Sequence, residues 1–163
     1  MDTGYGKTLL CFLLALYVAS KGMIAIIVNK SADLTFRDFM EAAERTSKTD
    51  VKVIRYNKRN VKPSEAYGEI VYMTGVEFME FVEGADDKIL KYAQFIIDEF
   101  DGLFFEEEQT AKIAIKAMDK VRKVWALSGS NFANSHIGFI VSHCHGSFYD
   151  FTLHGKEKIE LTC

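Results

Sequence analysis

The sequence predicts an α/β protein in three layers, a mostly parallel sheet covered by helices on both faces. Three observations lead there. Short, continuously apolar runs alternate along the chain with segments whose apolar residues recur at helical spacing, the order from which parallel sheets are built. A glycine–lysine–threonine triplet, Gly6-Lys7-Thr8, stands directly before the first helical segment. Two apolar runs end in polar tips: Asp98-Glu99 follows residues 95–97, and Ser128-Gly129-Ser130 follows residues 124–127.

Residues 8–20 form the first helix, apolar nearly all round and therefore expected to be buried beneath a sheet. Residues 23–28 are a continuous apolar strand. Phe36, Phe39, Met40 and Ala43 recur at helical spacing, with Thr35 as the expected cap. Strands follow at 51–54 and 69–73, a helix begins at 76–82, and residues 87–93 continue helically into a strand at 94–98. Ile113, Ala114, Ala117, Met118 and Val121 mark a helix before a strand at 123–127. Beyond Asn131 the pattern changes. Residues 137–141, 148–153 and 158–161 read as strands with short connections, so that 133–163 is expected as a β-rich C-terminal edge on a motif-bearing part at 1–132. The whole chain, 1–163, is expected to be a single partial domain, with no internal repeat.

At 163 residues the chain is long enough for a sizeable core. It is 48% hydrophobic and 26% charged, the balance of a globular protein, and its single proline argues against linkers. A net charge of −3 gives no overall attraction to nucleic acid or anionic membrane. Cys11, Cys144 and Cys163 are odd in number and widely spaced, which suits reduced intracellular thiols and a cytoplasmic protein. The apolar run at 9–19 also has the length of a signal-peptide core. Only Lys7 is basic ahead of it and Asp2 is acidic, so the buried-helix reading is preferred, and the run is too short for a stable membrane span.

The chemistry begins at the N-terminus. In a phosphate-binding loop, glycine lets the backbone curl so that its N–H groups face phosphate oxygens, lysine reaches the terminal phosphates, and the threonine hydroxyl joins a Mg²⁺ shell. The helix that follows adds its positive N-terminal dipole. Gly6, Lys7 and Thr8 supply these types in this order, although the usual G-x-x-x-x-G-K-[ST] pattern puts its first glycine where Met1 stands. Asp98 and Glu99, at the end of a buried strand, stand where such proteins keep a metal-holding aspartate and a water-orienting glutamate. Asp101 either ties that motif to Ser128 or Ser130 or is a turn aspartate before Gly102. Other clusters take plainer readings. Lys52, Arg55, Lys58, Arg59 and Lys62 are read as a solvated basic loop rather than a nucleic-acid contact, because only Tyr56 accompanies them for stacking. Glu106, Glu107 and Glu108 are read as a solvated helix start. His143-Cys144-His145 has no second pair at zinc spacing and is read as strand. Cys11 has no nearby base and is read as core.

Residues 1–8, MDTGYGKT, resemble the M-x-T-G-E-G-K-T loop of SecA-type preprotein translocase ATPases, in which methionine also stands at the first-glycine position. Lys21-Gly22, Ile27-Val28-Asn29 and Arg37-Asp38 resemble that family's G-K-G…V-x-V-N-D-Y-L-A-x-R-D segment, with two extra residues before Arg37. Glu65-Ala66-Tyr67, then Tyr72, Thr74, Glu77, Phe78 and Phe81, are similar to its E-A-Y…Y-G-T-N-N-E-F-G-F stretch. Tyr92-Ala93 and Asp98-Glu99-Phe100-Asp101 resemble Y-A…D-E-V-D, and residues 127–130 resemble the S-A-T or T-G-T motif of superfamily 2 helicases. Tyr5 replaces the family's glutamate. Only 26 residues separate Asp101 from Ser128, where SecA proteins insert a preprotein-binding domain.

The resemblance implies a RecA-like phosphate-loop NTPase lobe that binds ATP and Mg²⁺. Thr3, Gly4, Gly6, Lys7 and Thr8 would hold the nucleotide, and Thr8 and Asp98 the metal. Lys7 and Glu99 would be catalytic, and Asp101, Ser128, Gly129 and Ser130 would couple nucleotide state to motion. A second RecA-like lobe, in cis or in trans, would complete the ATP hydrolase, and the translocated polymer stays open between polypeptide and nucleic acid. Two alternatives stand beside this reading: a non-catalytic nucleotide-binding or interaction protein derived from such an ATPase, and a secreted or membrane-associated protein with an N-terminal targeting segment. Because the chain begins inside the motif, the strand leading into the loop is expected to be missing. That predicts a vacant central slot beside residues 24–28 and 95–97, each buried unpaired backbone group costing about 1–3 kcal/mol.

Overall fold

A computed structural model describes residues 5–57, 68–98, 123–126, 147–150 and 157–160. Helix α1 (Tyr5–Ser20) leads into strand β1 (Ile24–Asn29), followed by α2 (Ala32–Arg45), β2 (Val53–Arg55), β3 (Ile70–Thr74), α3 (Gly75–Gly84), α4 (Asp87–Leu90), β4 (Ala93–Ile97) and β5 (Lys123–Ala126). Strands β6 (Ser147–Asp150) and β7 (Glu157–Glu160) pair antiparallel with each other in a two-stranded sheet. The main sheet has the order β2-β3-β1-β4-β5, every pair parallel. Among the described residues this is the expected α/β architecture.

The sequence explains the sheet's centre. All six residues of β1 are buried, as suits a strand with apolar side chains on both faces. Alternate residues go to opposite layers. Ala25 and Ile27 join Ile70, Tyr72 and Ile96 beneath α1 and α2, whose Cys11, Phe12, Ala15 and Ala42 complete that core. Ile26, Val28, Val71, Met73, Phe95 and Ile97 face the other way, onto Phe78 and Phe81 of α3 and Leu90 of α4. There Phe78 meets Phe95 edge-on, ring centroids 4.8 Å apart, a favoured aromatic geometry.

The helix ends are set by local chemistry. Gly22, at φ 75°, closes α1: its N–H donates to Ala19 O and the Met23 N–H donates to Val18 O, the paired bonds of a Schellman ending. Helix α3 starts with a capping box. The Glu77 N–H donates to Thr74 Oγ1, and the Thr74 N–H donates to Glu77 Oε1. Arg55 at the end of β2 donates to the same Glu77 oxygen at 2.7 Å and to the carbonyls of Tyr56 and Tyr72 at 3.3 Å.

Several expectations are corrected. There is no vacant slot between residues 24–28 and 95–97: β1 and β4 pair directly, Ile24 with Ala93 through Val28 with Ile97, and β1 pairs with β3 on its other side. The cap of α2 is Ser31, whose hydroxyl accepts from the Leu34 N–H. Thr35 lies inside the helix and donates its hydroxyl to Ser31 O. The helical segment at 87–93 stops at Leu90 because Ala93 already belongs to β4. Helix α1 begins three residues early and is not buried all round: Leu13 and Tyr17 are more than half exposed, since a helix lying on a sheet can cover only one stripe. Arg55 belongs to a strand and is engaged with Glu77, not a solvated loop. The expected helix at 113–121, the strand at 137–141 and the His143-Cys144-His145 cluster lie outside the described residues. Among those described, no helix is long and apolar enough to cross a membrane.

Phe78 is fully buried against β4. Phe78→Ala should therefore lower unfolding free energy by about 3–5 kcal/mol, read from urea denaturation. A loss under about 1 kcal/mol would contradict the packing described.

Candidate functional site at the carboxyl ends of β1 and β4

The buried stripe of α1 runs Lys7/Thr8, Cys11/Phe12, Ala15 and Val18/Ala19, the i, i+4 rhythm of one helical face. It carries Lys7 and Thr8, each 9% exposed, to the edge of the sheet where β1 and β4 end. Gly6, Lys7 and Thr8 all lie in the first turn of α1 rather than ahead of it. Asp98 is the first residue after β4, and its N–H donates to Val28 O at 3.0 Å, which prolongs the β1–β4 ladder by one bond. Lys7 Nζ then lies 2.9 Å from Asp98 Oδ1. Two residues singled out 91 positions apart in sequence are thus in direct contact.

A second polar group borders this pair. Asn29 ends β1 beside Asp98, and its Nδ2 donates to Asp38 Oδ2 of α2 at 3.3 Å. Asp38 Oδ1 accepts from Nε and Nη2 of Arg37. Burial holds the Asp38 carboxyl above the usual carboxylate range, against the opposing pull of Arg37 and Asn29. Cys11 lies one turn below Lys7. Burial first, and then the charge of Asp98, push its thiol up to about 12, with Asp38 acting in the same direction and Lys7 opposing. Burial and Asp38 likewise raise the Tyr72 hydroxyl.

Sequence reasoning brought Lys7, Thr8 and Asp98 forward and read Cys11 as core, but it gave Asn29 and Asp38 no role. Their signal was present, a polar residue closing an apolar strand and an acidic residue on the helix that follows it. Thr3, Gly4, Glu99, Asp101, Ser128, Gly129 and Ser130 lie outside the described residues. β5 pairs with β4 through Ile97 and Ala126.

The arrangement has clear chemical capacities. The N-terminus of a sixteen-residue helix and an ammonium group attract an anion. A hydroxyl and a carboxylate are oxygen donors of the kind that hold a hard divalent cation.

The sequence matches the DEAD/DEAH box helicase family over residues 1–134. The chain belongs to that family. It is 32% identical over 123 residues to the protein translocase subunit SecA of Clostridium botulinum, an alignment that covers 69% of this chain and 15% of the relative. The chain therefore spans about one-seventh of the curated relatives it matches. In fold it is similar to a yeast DEAD-box splicing factor, with a TM-score of 0.63 at 17% identity, over 88% of this chain and 39% of that one. It is also similar to a hypothetical ATP-dependent RNA helicase from Sulfolobus tokodaii, with a TM-score of 0.60 at 17% identity, over 88% and 44% of the two chains. These likenesses establish a RecA-like superfamily 2 lobe.

The thiol of Cys11 allows a direct check. A folded pKa raised from 9.0 to about 12 means that the unfolded chain loses the proton first. Stability owed to the protonated thiol is then held below pH 9 and lost as pH rises toward 12. At about pH 8, where an ordinary thiol reacts readily, Cys11 in the folded chain should resist a maleimide that labels it in urea, as read by peptide mass mapping. Rapid native labelling of Cys11 would contradict the site's closure.

Proposed function

We propose that this chain is the first nucleotide-binding lobe of a SecA-like or helicase-like ATPase, holding ATP and Mg²⁺ at the Lys7–Asp98 site. The observation that carries the reading is the 2.9 Å contact between Lys7 and Asp98. It joins a phosphate-loop lysine to the aspartate of a D-E-x-D strand end. The residues present fit the ligands. The first turn of α1 and the Lys7 ammonium suit a polyphosphate, and the Thr8 hydroxyl and Asp98 carboxylate suit a small divalent cation.

In this reading Gly6, with Thr3 and Gly4, lets the backbone approach the phosphates, and Lys7 binds the terminal phosphate oxygens. Thr8 and Asp98 orient the cation, and Glu99 orients the attacking water. Asp101, Ser128, Gly129 and Ser130 pass the state of the site to the rest of the molecule. Bound there, nucleotide and cation supply the charge neutralisation on which phosphoryl transfer rests. An arginine from a second RecA-like lobe, in cis or in trans, would add transition-state stabilisation, so the lobe alone should turn over slowly.

Lys7→Ala should abolish Mg²⁺-dependent binding of a fluorescent ATP analogue while leaving the circular dichroism spectrum unchanged. Equal binding by wild type and variant would sink the reading. Glu99→Gln should keep binding within about threefold and remove residual hydrolysis, since water positioning contributes to kcat rather than to affinity. Loss of affinity with hydrolysis intact would show that the roles are misassigned.

A further inference from the structure

Helix α2 turns its apolar stripe away from the sheet it covers. Phe36, Phe39, Met40 and Ala43 have the i, i+3, i+4, i+7 spacing of a helix that faces a core. The buried face carries Thr35, Asp38 and Ala42 instead. Phe39 packs against the core beneath α2, but Phe36 and Met40 are 59% and 53% exposed. Arg37, Glu41 and Glu44 border these two residues. Single apolar residues scattered over a surface need no partner, whereas neighbours along one helical stripe mark an interaction surface.

We propose that this stripe is the contact surface for a second copy of the chain, the two α2 helices packing antiparallel about a two-fold axis near Met40. The inference is independent of the nucleotide-site reading. The charges select the occupant. Asp33, Arg37, Glu44 and, in the turn after the helix, Lys48 fall within about 60° of one another around the helix axis, along one flank of the stripe. Their signs alternate. Turned end to end about Met40, Arg37 of each copy stands opposite Glu44 of the other, and Asp33 stands opposite Lys48. Every charge on the flank then meets its opposite, as flanking charges do when they set partner and direction in paired helices. A parallel pair would set like against like. An anionic membrane surface needs a basic border, and a strongly acidic or basic partner would be repelled by half of these groups. Arg37 serves two contacts: its Nε and Nη2 donate to Asp38 while the side chain stays 51% exposed, and a guanidinium has donors to spare. A patch that meets its own copy about a two-fold axis is the commonest symmetric contact. One pair of 14-residue helices is a small interface, so the association is weak and reversible.

Sedimentation equilibrium of the full chain should show a reversible monomer–dimer equilibrium at micromolar concentration. Met40→Glu sets two carboxylates face to face at the axis and should weaken it at least about a hundredfold. Met40→Ser carries the comparison should the glutamate variant not fold, as read by circular dichroism. Asp33 and Lys48 are exposed, so their charges can be exchanged without disturbing a core. Asp33→Lys alone should weaken the dimer about tenfold, and Asp33→Lys with Lys48→Glu should restore it. Under oxidised glutathione, Met40→Cys should give a disulfide-linked dimer. Val76→Cys, on α3 and 82% exposed, should stay at the wild-type level. A chain that sediments as a monomer up to about 0.5 mM overturns the proposal and leaves the stripe to a partner of another kind. A dimer that Met40→Glu leaves intact also overturns it, because the contact then lies elsewhere. A double variant no tighter than Asp33→Lys overturns the antiparallel arrangement.

Discussion

Strand β1 sets the geometry of this molecule. It is buried along its whole length and hydrogen-bonded on both sides, to β3 through Ala25–Asn29 and to β4 through Ile24–Val28. A strand with a partner on each edge and a helix layer on each face has no freedom to shift register, because a one-residue slip would exchange the side chains of the two cores. Its carboxyl end is therefore a fixed point. Asn29 and Asp98 emerge there side by side from parallel neighbours, and α2 leaves from the same end with Asp38 on its buried face.

Around that point the molecule holds ionisable groups where an apolar core would be less costly. Lys7 and Asp38 are nearly buried, and Asp98 is one-fifth exposed. Such charges persist only when paired and hydrogen-bonded. Lys7 has Asp98, and Asp38 has Asn29 and Arg37. Removing a partner from such a pair is more damaging than never having had the pair. The arrangement therefore adds little net stability but responds strongly to anything that competes for one partner.

The opposite layer does different work. Phe78, Phe81, Leu90 and Phe95 form an apolar core with no charge inside it. Glu77 is held at its edge by its own helix cap and by Arg55. This side packs α3 and α4 onto β1, β3 and β4, while Lys7, Asp98 and Asp38 gather at the carboxyl ends of β1 and β4 beside α1 and α2. Structures at 17% identity share this fold. That is the expected result when apolar patterning and volume are kept while the individual side chains change, and a fold so shared does not by itself carry a function.

The alternation of apolar runs and helical periods determined the fold class. The loop triplet and the acidic strand end determined which residues to look for, because both signals are local: a run of buried residues and a motif are legible without knowing what they touch. Distances between distant segments are not legible in this way. Periodicity showed α1 as apolar all round, but only its packing on a sheet decides that Leu13 and Tyr17 face outward while Lys7 and Cys11 face inward. Residue spacing offered Thr35 as a cap, whereas backbone geometry gives the role to Ser31. The direct pairing of β1 with β4, the alignment of their ends, the contact of Lys7 with Asp98 and the engagement of Asp38 by Asn29 belong to tertiary structure alone. Each depends on strand order, and strand order follows from which faces must be covered together, a property of the whole packed chain that no single segment encodes.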